Sequence, residues 1–333
     1  MKVSIAVDAM GGDDSPLKVL KGIDLFLQKE KNVKFLIFGN QDLINPIIKS
    51  FPLVSTCSTI IHTYDRISDN LSPLEAVKNG KNSSMWLALS ALSEKQADVA
   101  LSAGNTGALL VMSRLLLKTI PDVDKPALAS FWPTFKGLTI VLDLGANIEC
   151  GVKNLVDFCK LGSALFSSIF KKDNPKVALL NIGSEESKGS EILKKTLNVL
   201  KEKKNFFEFS GFIEGNNIKD GNVDVVVTDG FSGNIALKTA EGTAKYITGI
   251  VKDRFLKTFY SKLIYLLSFK IFKSLKDDLD PRKYNGGIFL GLTSPVVKSH
   301  GGTDYIGFYY SIKLCYDIIN GNLQTQLEKN FKG

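Results

Sequence analysis

Apolar and polar positions alternate along this chain in two rhythms. Short continuous runs rich in Val, Ile and Leu fall at 3–7, 33–38, 99–102, 138–142, 177–181 and 223–228. Runs such as IVLDL and DVVVTD lack the in-out alternation of a half-exposed strand, which predicts strands buried on both faces of a parallel sheet. Between them, apolar residues recur at helical spacing over 16–28, 85–95, 106–119, 153–170, 191–204 and 235–252. Strand and helix in alternation predict a doubly wound α/β fold, with ligands beyond the carboxyl ends of the strands. No repeat, low-complexity tract or linker divides residues 1–333, so one α/β catalytic unit is expected, with two lobes as the alternative.

The predicted strands run into small, polar, glycine-bearing turns: DAMGGD (8–13), SAGNTG (102–107), DLGAN (143–147), NIGSEESKG (181–189) and DGFSGN (229–234). Glycine admits positive φ and close backbone approach, and free N–H groups at a following helix start attract anions. One such turn is ordinary loop chemistry. Several on one sheet converge on one crevice, which favours binding of phosphate or carboxylate. Asn79-Gly-Lys-Asn-Ser83 lacks the ending and upstream glycine of a nucleotide P-loop, Gly230-Phe-Ser-Gly233 is one residue short of a nucleophile elbow, and no dinucleotide fingerprint opens a βαβ unit. Of the two histidines, His62 sits in a strand and reads as structural, while His300 in KSHGG is a site candidate.

Composition narrows the class. The chain has 333 residues, 44% hydrophobic and 23% charged, which excludes disordered and disulfide-scaffold chains. Its net charge of +8 favours acidic partners. Without an Arg-rich run or binding motif, nucleic acid is not expected among them. Four dispersed cysteines indicate neither zinc nor a disulfide framework, and no metal or cofactor is called for. The N-terminus lacks signal-peptide character and no apolar window of ~20 residues exists, so a cytoplasmic protein is expected.

From 254 to 276 the chain reads RFLKTFYSKLIYLLSFKIFKSLK, with six basic residues, no acidic one and apolar positions at helical spacing. Such a segment suits an anionic membrane surface or a partner subunit, or both.

In order and over almost the whole chain, DAMGGD, LSAGNTGAL, LDLGAN, NIGSEESKG, DVVVTDGFSGNIALKTAEG and GGIFLGL…HGG resemble the PlsX family of phosphate acyltransferases. The resemblance implies a three-layer α/β fold like that of isopropylmalate dehydrogenase and phosphotransacetylase, usually as a homodimer. It implies that long-chain acyl-acyl carrier protein and inorganic phosphate give acyl phosphate and free carrier protein. The product then feeds a membrane glycerol-3-phosphate acyltransferase, which places the protein peripherally at the inner face of the membrane. Phosphate is itself the nucleophile, so the chain needs to supply a cradle, orientation and oxyanion donors. Lys188, Asn105 and Asn147 are the expected catalytic donors. Ser102, Gly104, Thr106, Gly107, Gly183, Glu185, Glu186, Asp229, Gly230, Ser232, Asn234 and His300 are the expected phosphate and substrate contacts. One of Glu185 and Glu186 is expected to orient Lys188 and the other to be solvated; Asp229 could fix backbone geometry. The alternatives are a metal-dependent NAD oxidoreductase of the related dehydrogenase fold, for which no Asp-x3-Asp helix pattern is seen, and a non-catalytic membrane-surface protein.

Overall fold

A computed structural model describes residues 2–202, 206–257 and 280–332, with isolated positions 260, 268, 270, 273 and 277 between the last two spans. Most of the basic segment read at 254–276 therefore lies outside the described residues. In chain order the elements are β1 (Val3–Asp8), α1 (Leu17–Leu27), β2 (Val33–Gly39), α2 (Gln41–Ile48), α3 (Pro52–Cys57), β3 (Ser58–His62), α4 (Pro73–Asn79), α5 (Ser84–Ser93), β4 (Val99–Ser102), α6 (Thr106–Leu117), β5 (Ala127–Thr134) and β6 (Gly137–Leu142). There follow α7 (Val152–Phe170), β7 (Lys176–Asn181), α8 (Glu191–Glu202), β8 (Glu208–Glu214), β9 (Val225–Val227), α9 (Gly230–Lys257), β10 (Gly287–Leu290), β11 (Val296–Lys298), α10 (Tyr305–Asn320) and α11 (Leu323–Lys332).

The described strands form one sheet in the order β3-β2-β1-β4-β11-β10-β5-β6-β9-β7-β8. Within β3-β2-β1-β4-β11 and within β6-β9-β7-β8 all pairing is parallel. Between these halves, β10 runs antiparallel to β11 and β5, and β5 runs antiparallel to β6. The parallel sheet read from the Val-rich runs thus holds within each half, and the halves run in opposite senses. The reversal rests on strands with weak signals. β10 and β11 have four and three residues, and β5 reads ALASFWPT with a proline near its end.

Helices cover both faces, so successive side chains of a central strand enter different cores. In β1, Val3, Ile5 and Val7 pack under α1 and α10, while Ala6 meets α5 and α6. In β9, Val225 and Val227 pack under α7, while Val226 faces a smaller cluster that Leu237 of α9 joins. This is why the strands read as unbroken apolar runs. The covering of the second half by α9 is thin: Phe231, Ile235, Tyr246, Ile247, Ile250 and Val251 of that helix remain exposed. Among the described residues, no helix is long and apolar enough to cross a membrane.

Candidate active site

Parallel pairing brings the ends of β1, β4 and β11 together, with Asp8 in register with Ser102 and Ser102 with Lys298. Asp8 is buried. Its Oδ1 accepts from Ser84 Oγ at 2.6 Å and Met10 N at 3.1 Å, and its Oδ2 accepts from Ser102 Oγ at 2.6 Å. Ser102 Oγ in turn accepts from Gly104 N at 3.0 Å. Burial pushes the Asp8 carboxyl above the usual range, and these donors pull against it. A Cβ on Gly11 would lie 2.5 Å from Gly104 N, so the first two glycine loops touch backbone to backbone. The third closes on them, with Asp13 N donating to Gly301 O at 3.1 Å. His300 N donates to Asn285 Oδ1 at 3.0 Å, and its Nδ1 accepts from Gly302 N at 3.2 Å. Desolvation, then Lys298 and Lys238, lower the imidazole below the ordinary histidine value, which keeps it neutral at pH 7.

The expected donor Asn105 is committed to the fold. Its Oδ1 caps α6 by accepting from Ala108 N at 2.9 Å, and its Nδ2 donates to Asp69 O at 2.8 Å and Leu71 O at 3.1 Å. Thr106 is exposed at the first turn of that helix and Gly107 is half-buried beside it. A Cβ on Gly107 would meet Pro73 Cγ at 2.7 Å, so a side chain there disturbs α4 before it reaches a ligand.

The second half repeats the strand-end aspartate with another outcome. Asp143 follows β6. Its Oδ1 accepts from Leu128 N at 3.0 Å, Gly145 N at 3.2 Å and Ala146 N at 2.9 Å; its Oδ2 accepts from Asn147 N at 2.7 Å and Asn147 Nδ2 at 2.8 Å. The Asn147 amide also donates to Pro126 O at 2.7 Å, so both of its hydrogens are used. The start of α9 locks onto this loop. A Cβ on Gly230 would lie 2.5 Å from Asn147 O, one on Gly233 would lie 1.9 Å from Asp143 O, and Asn234 Nδ2 donates to Leu144 O at 3.2 Å. Asp229 accepts from Ser232 N at 2.8 Å and Ser232 Oγ at 3.0 Å, which caps α9 and gives it the backbone-fixing geometry expected as one option.

After β7, Asn181 holds the loop by donating from Nδ2 to Lys188 O at 3.3 Å, and Gly189, at φ +88°, passes against its side chain. Gly183 is buried beneath Glu185 and the Lys188 stem, with Glu185 Oε2 2.7 Å and Lys188 Cγ 3.1 Å from where its Cβ would stand. Lys188 itself is exposed. Glu186 pairs with Lys201 at 2.5 Å rather than with Lys188.

Helix α9 links the two groups of loops. Gly230 sits on Asn147, and Lys238, roughly 12 Å further along the axis at 1.5 Å per residue, contributes to the field at Lys298 and His300. Sequence reasoning missed Asp8, Lys18 and Lys298, all buried where three loops meet. The signal available was a charged residue closing each of two apolar strands, AVD and VVK.

Residues 3–326 match the family model described as "Fatty acid synthesis protein". The chain is 52% identical over 329 residues to the phosphate acyltransferase of Pelagibacter ubique, covering 98% of each chain, and 46% identical over 333 residues to that of Azorhizobium caulinodans, covering 98% and 93%. Among solved structures, the fold is similar to a phosphotransacetylase from Streptococcus pyogenes (TM-score 0.64, 15% identity, 97% and 94% covered) and to the EutD phosphotransacetylase from Staphylococcus aureus (TM-score 0.61, 17% identity, 96% and 94% covered). The chain belongs to the PlsX family of phosphate acyltransferases, enzymes of acyl transfer to phosphate.

Proposed function

We propose that the protein transfers a long-chain acyl group from acyl carrier protein to inorganic phosphate, as the first step toward phospholipid synthesis. The observation that carries this reading is the meeting of the Gly11–Gly12, Gly104 and Gly301 turns around buried lysines at the ends of three parallel strands. A phosphate oxygen attacks the thioester carbonyl, a C–O bond forms, the C–S bond breaks, and the electron pair leaves on the carrier's sulfur, which takes a proton from solvent. Lys188, on the second half, supplies positive charge to the oxyanion; one such donor is typically worth roughly 3–4 kcal/mol. A protein nucleophile is unnecessary, and the buried thiols suit none: burial pushes Cys150 up to about 11 and raises Cys159 and Cys315 as well.

The net charge of +8 suits an acidic carrier protein. The exposed apolar positions of α9 support a homodimer. Acting from the cytoplasm at the inner face of the membrane, the basic segment at 254–276 contacts anionic lipid and hands acyl phosphate to a membrane glycerol-3-phosphate acyltransferase. The test of the reaction is incubation of purified protein with palmitoyl-acyl carrier protein and radiolabelled inorganic phosphate, following carrier thiol and label carried into acyl phosphate. Equimolar carrier thiol and labelled acyl phosphate, with no thiol released when phosphate is left out, are expected. Hydride transfer to NAD in the presence of a divalent metal, with no thiol released, would overturn it.

A further inference from the structure

Two lysines are buried where the loops after β1, β4 and β11 meet. Lys18, on the first turn of α1, is 3% exposed, and Lys298, the last residue of β11, is 9% exposed. Buried ammonium groups are ordinarily matched by carboxylates, because taking an unpaired charge out of water is costly. Here the ion pairs formed among the described residues include neither lysine. Their acceptors are main-chain carbonyls. Lys18 Nζ donates to Gly301 O at 2.5 Å; Lys298 Nζ donates to Ala103 O at 3.5 Å and to Ser299 O. An ammonium carries three N–H donors. Among the described residues, three of the six N–H groups on this pair have no acceptor.

The two side chains border a common space. A Cβ on Gly12 would lie 2.8 Å from Lys18 Nζ, 2.8 Å from Gly301 O and 3.0 Å from Ala103 O, the carbonyl that receives Lys298. Gly12 is at φ +77°, so both its conformation and its neighbours exclude a side chain there. The buried carboxylate of Asp8, which acts on Lys298, is engaged by Ser84, Ser102 and Met10 N, and the carboxylates that pull on Lys18 (Asp13, Asp14 and Asp69) are exposed; none of them closes an ion pair with either lysine. The junction therefore holds two positive charges, bare glycine backbone and three lysine N–H donors that the described residues do not engage.

We propose that Lys18 and Lys298 form the seat of inorganic phosphate, their spare N–H groups directed to phosphate oxygens and their two charges set against the dianion. This rests on the reading of the protein as an enzyme of acyl transfer to phosphate. It places the nucleophile on the β1, β4 and β11 loops and leaves Lys188 for the developing oxyanion. Burial without an ion-pair partner also explains why Lys298 is held well below the ordinary lysine value, at about 8, with desolvation outweighing the pull of Asp69 and Asp8.

The full-length protein tests the seat in two ways. Titration with inorganic phosphate alone, followed by melting temperature, should stabilise the wild type and should lose most of that effect in Lys298→Met and in Lys18→Met. In steady state, each variant should raise the phosphate KM at least tenfold, which is 1.4 kcal/mol, while the KM for acyl-acyl carrier protein stays within twofold. In phosphate-free buffer Lys298→Met should melt no lower than the wild type, whereas a lysine kept for packing would leave a less stable protein behind. Lys298→Gln, which can still donate to the carbonyls without charge, carries the same expectation if the Met variant folds poorly. An unchanged phosphate KM and unchanged stabilisation by phosphate in the lysine variants would overturn the seat. Phosphate stabilisation that depends on Lys298 in a protein that forms no acyl phosphate would instead defeat the functional reading and leave the seat standing.

Discussion

Asp8 and Asp143 occupy equivalent places in the two halves, each where a buried parallel strand meets a glycine-rich turn, yet they do different things. Asp143 is saturated by five N–H donors from its own loop and from Leu128. Glycines 230 and 233 bring the start of α9 against it at distances that admit no side chain. It is a latch. Asp8 binds two hydroxyls and sits near two lysines that have donors to spare. One strand-end signature thus yields a closed hydrogen-bond network in the second half and an electropositive junction with spare donors in the first.

The contrast breaks hardest at the latch. Asp143→Ala orphans five part-buried N–H groups and should cost at least about 3 kcal/mol of stability, read as a fall in the urea midpoint. Asp143→Asn, which keeps one acceptor oxygen, should lose distinctly less. If both variants unfold at the wild-type midpoint, the latch is not one. Next in size is Lys188→Ala, expected to lower kcat/KM at least a hundredfold, or ~2.7 kcal/mol, with stability unchanged. A loss below threefold would return Lys188 to the solvent-facing role its exposure also permits.

The first half should show its character in pH dependence. Lys298 has a folded value of about 8, below that of the unfolded chain, and faces Asp8, Asp69, Lys18 and Lys238. Between pH 8 and the ordinary lysine range the unfolded state binds more protons. Phosphate-free protein should therefore gain stability as pH rises through that window, with no contribution from Lys298 below it. Over the same window its ammonium is lost, and the phosphate KM should climb about tenfold per pH unit. A flat profile to pH 9.5 would separate Lys298 from phosphate binding.

Smaller still is the cap of α6. Asn105→Ala should cost about 1 kcal/mol, and Asn105→Ser should restore much of it in thermal melts. If Asn105→Ser restores stability and activity together, Asn105 acts through the helix start and not as an oxyanion donor. The smallest effect belongs to Glu186, whose pair with Lys201 is exposed; Glu186→Gln should change stability by less than ~0.5 kcal/mol and kcat/KM by less than twofold.

Much of this was legible in the chain. Runs such as 99–102 and 177–181 are strands because both faces are covered, and that leaves a continuous apolar stretch to read. The reversal at the centre was not legible, since β10 and β11 are too short for any period to register and β5 carries Ala, Ser, Thr and Pro in place of a Val-rich run. At the site, the glycine turns announced themselves but the committed side chains did not. Asn105 and Asn147 look like free amides in sequence; their carbonyl partners, Asp69 and Leu71 for one and Pro126 for the other, lie more than 20 residues away. Lys18 reads as a solvent-facing helix residue until Gly301, 283 positions later, closes over it. Burial of a charge is a long-range fact, and local pattern does not encode it.

The most direct measurement is the phosphate dependence of carrier-thiol release from palmitoyl-acyl carrier protein, run side by side on wild type and Lys298→Gln. Wild type should release thiol only with phosphate, along a saturating curve and with one acyl phosphate per thiol. The variant should need at least ten times more phosphate for half-saturation. Thiol release that is independent of phosphate, or identical phosphate curves for the two proteins, would contradict the placement of phosphate at the junction of the β1, β4 and β11 loops.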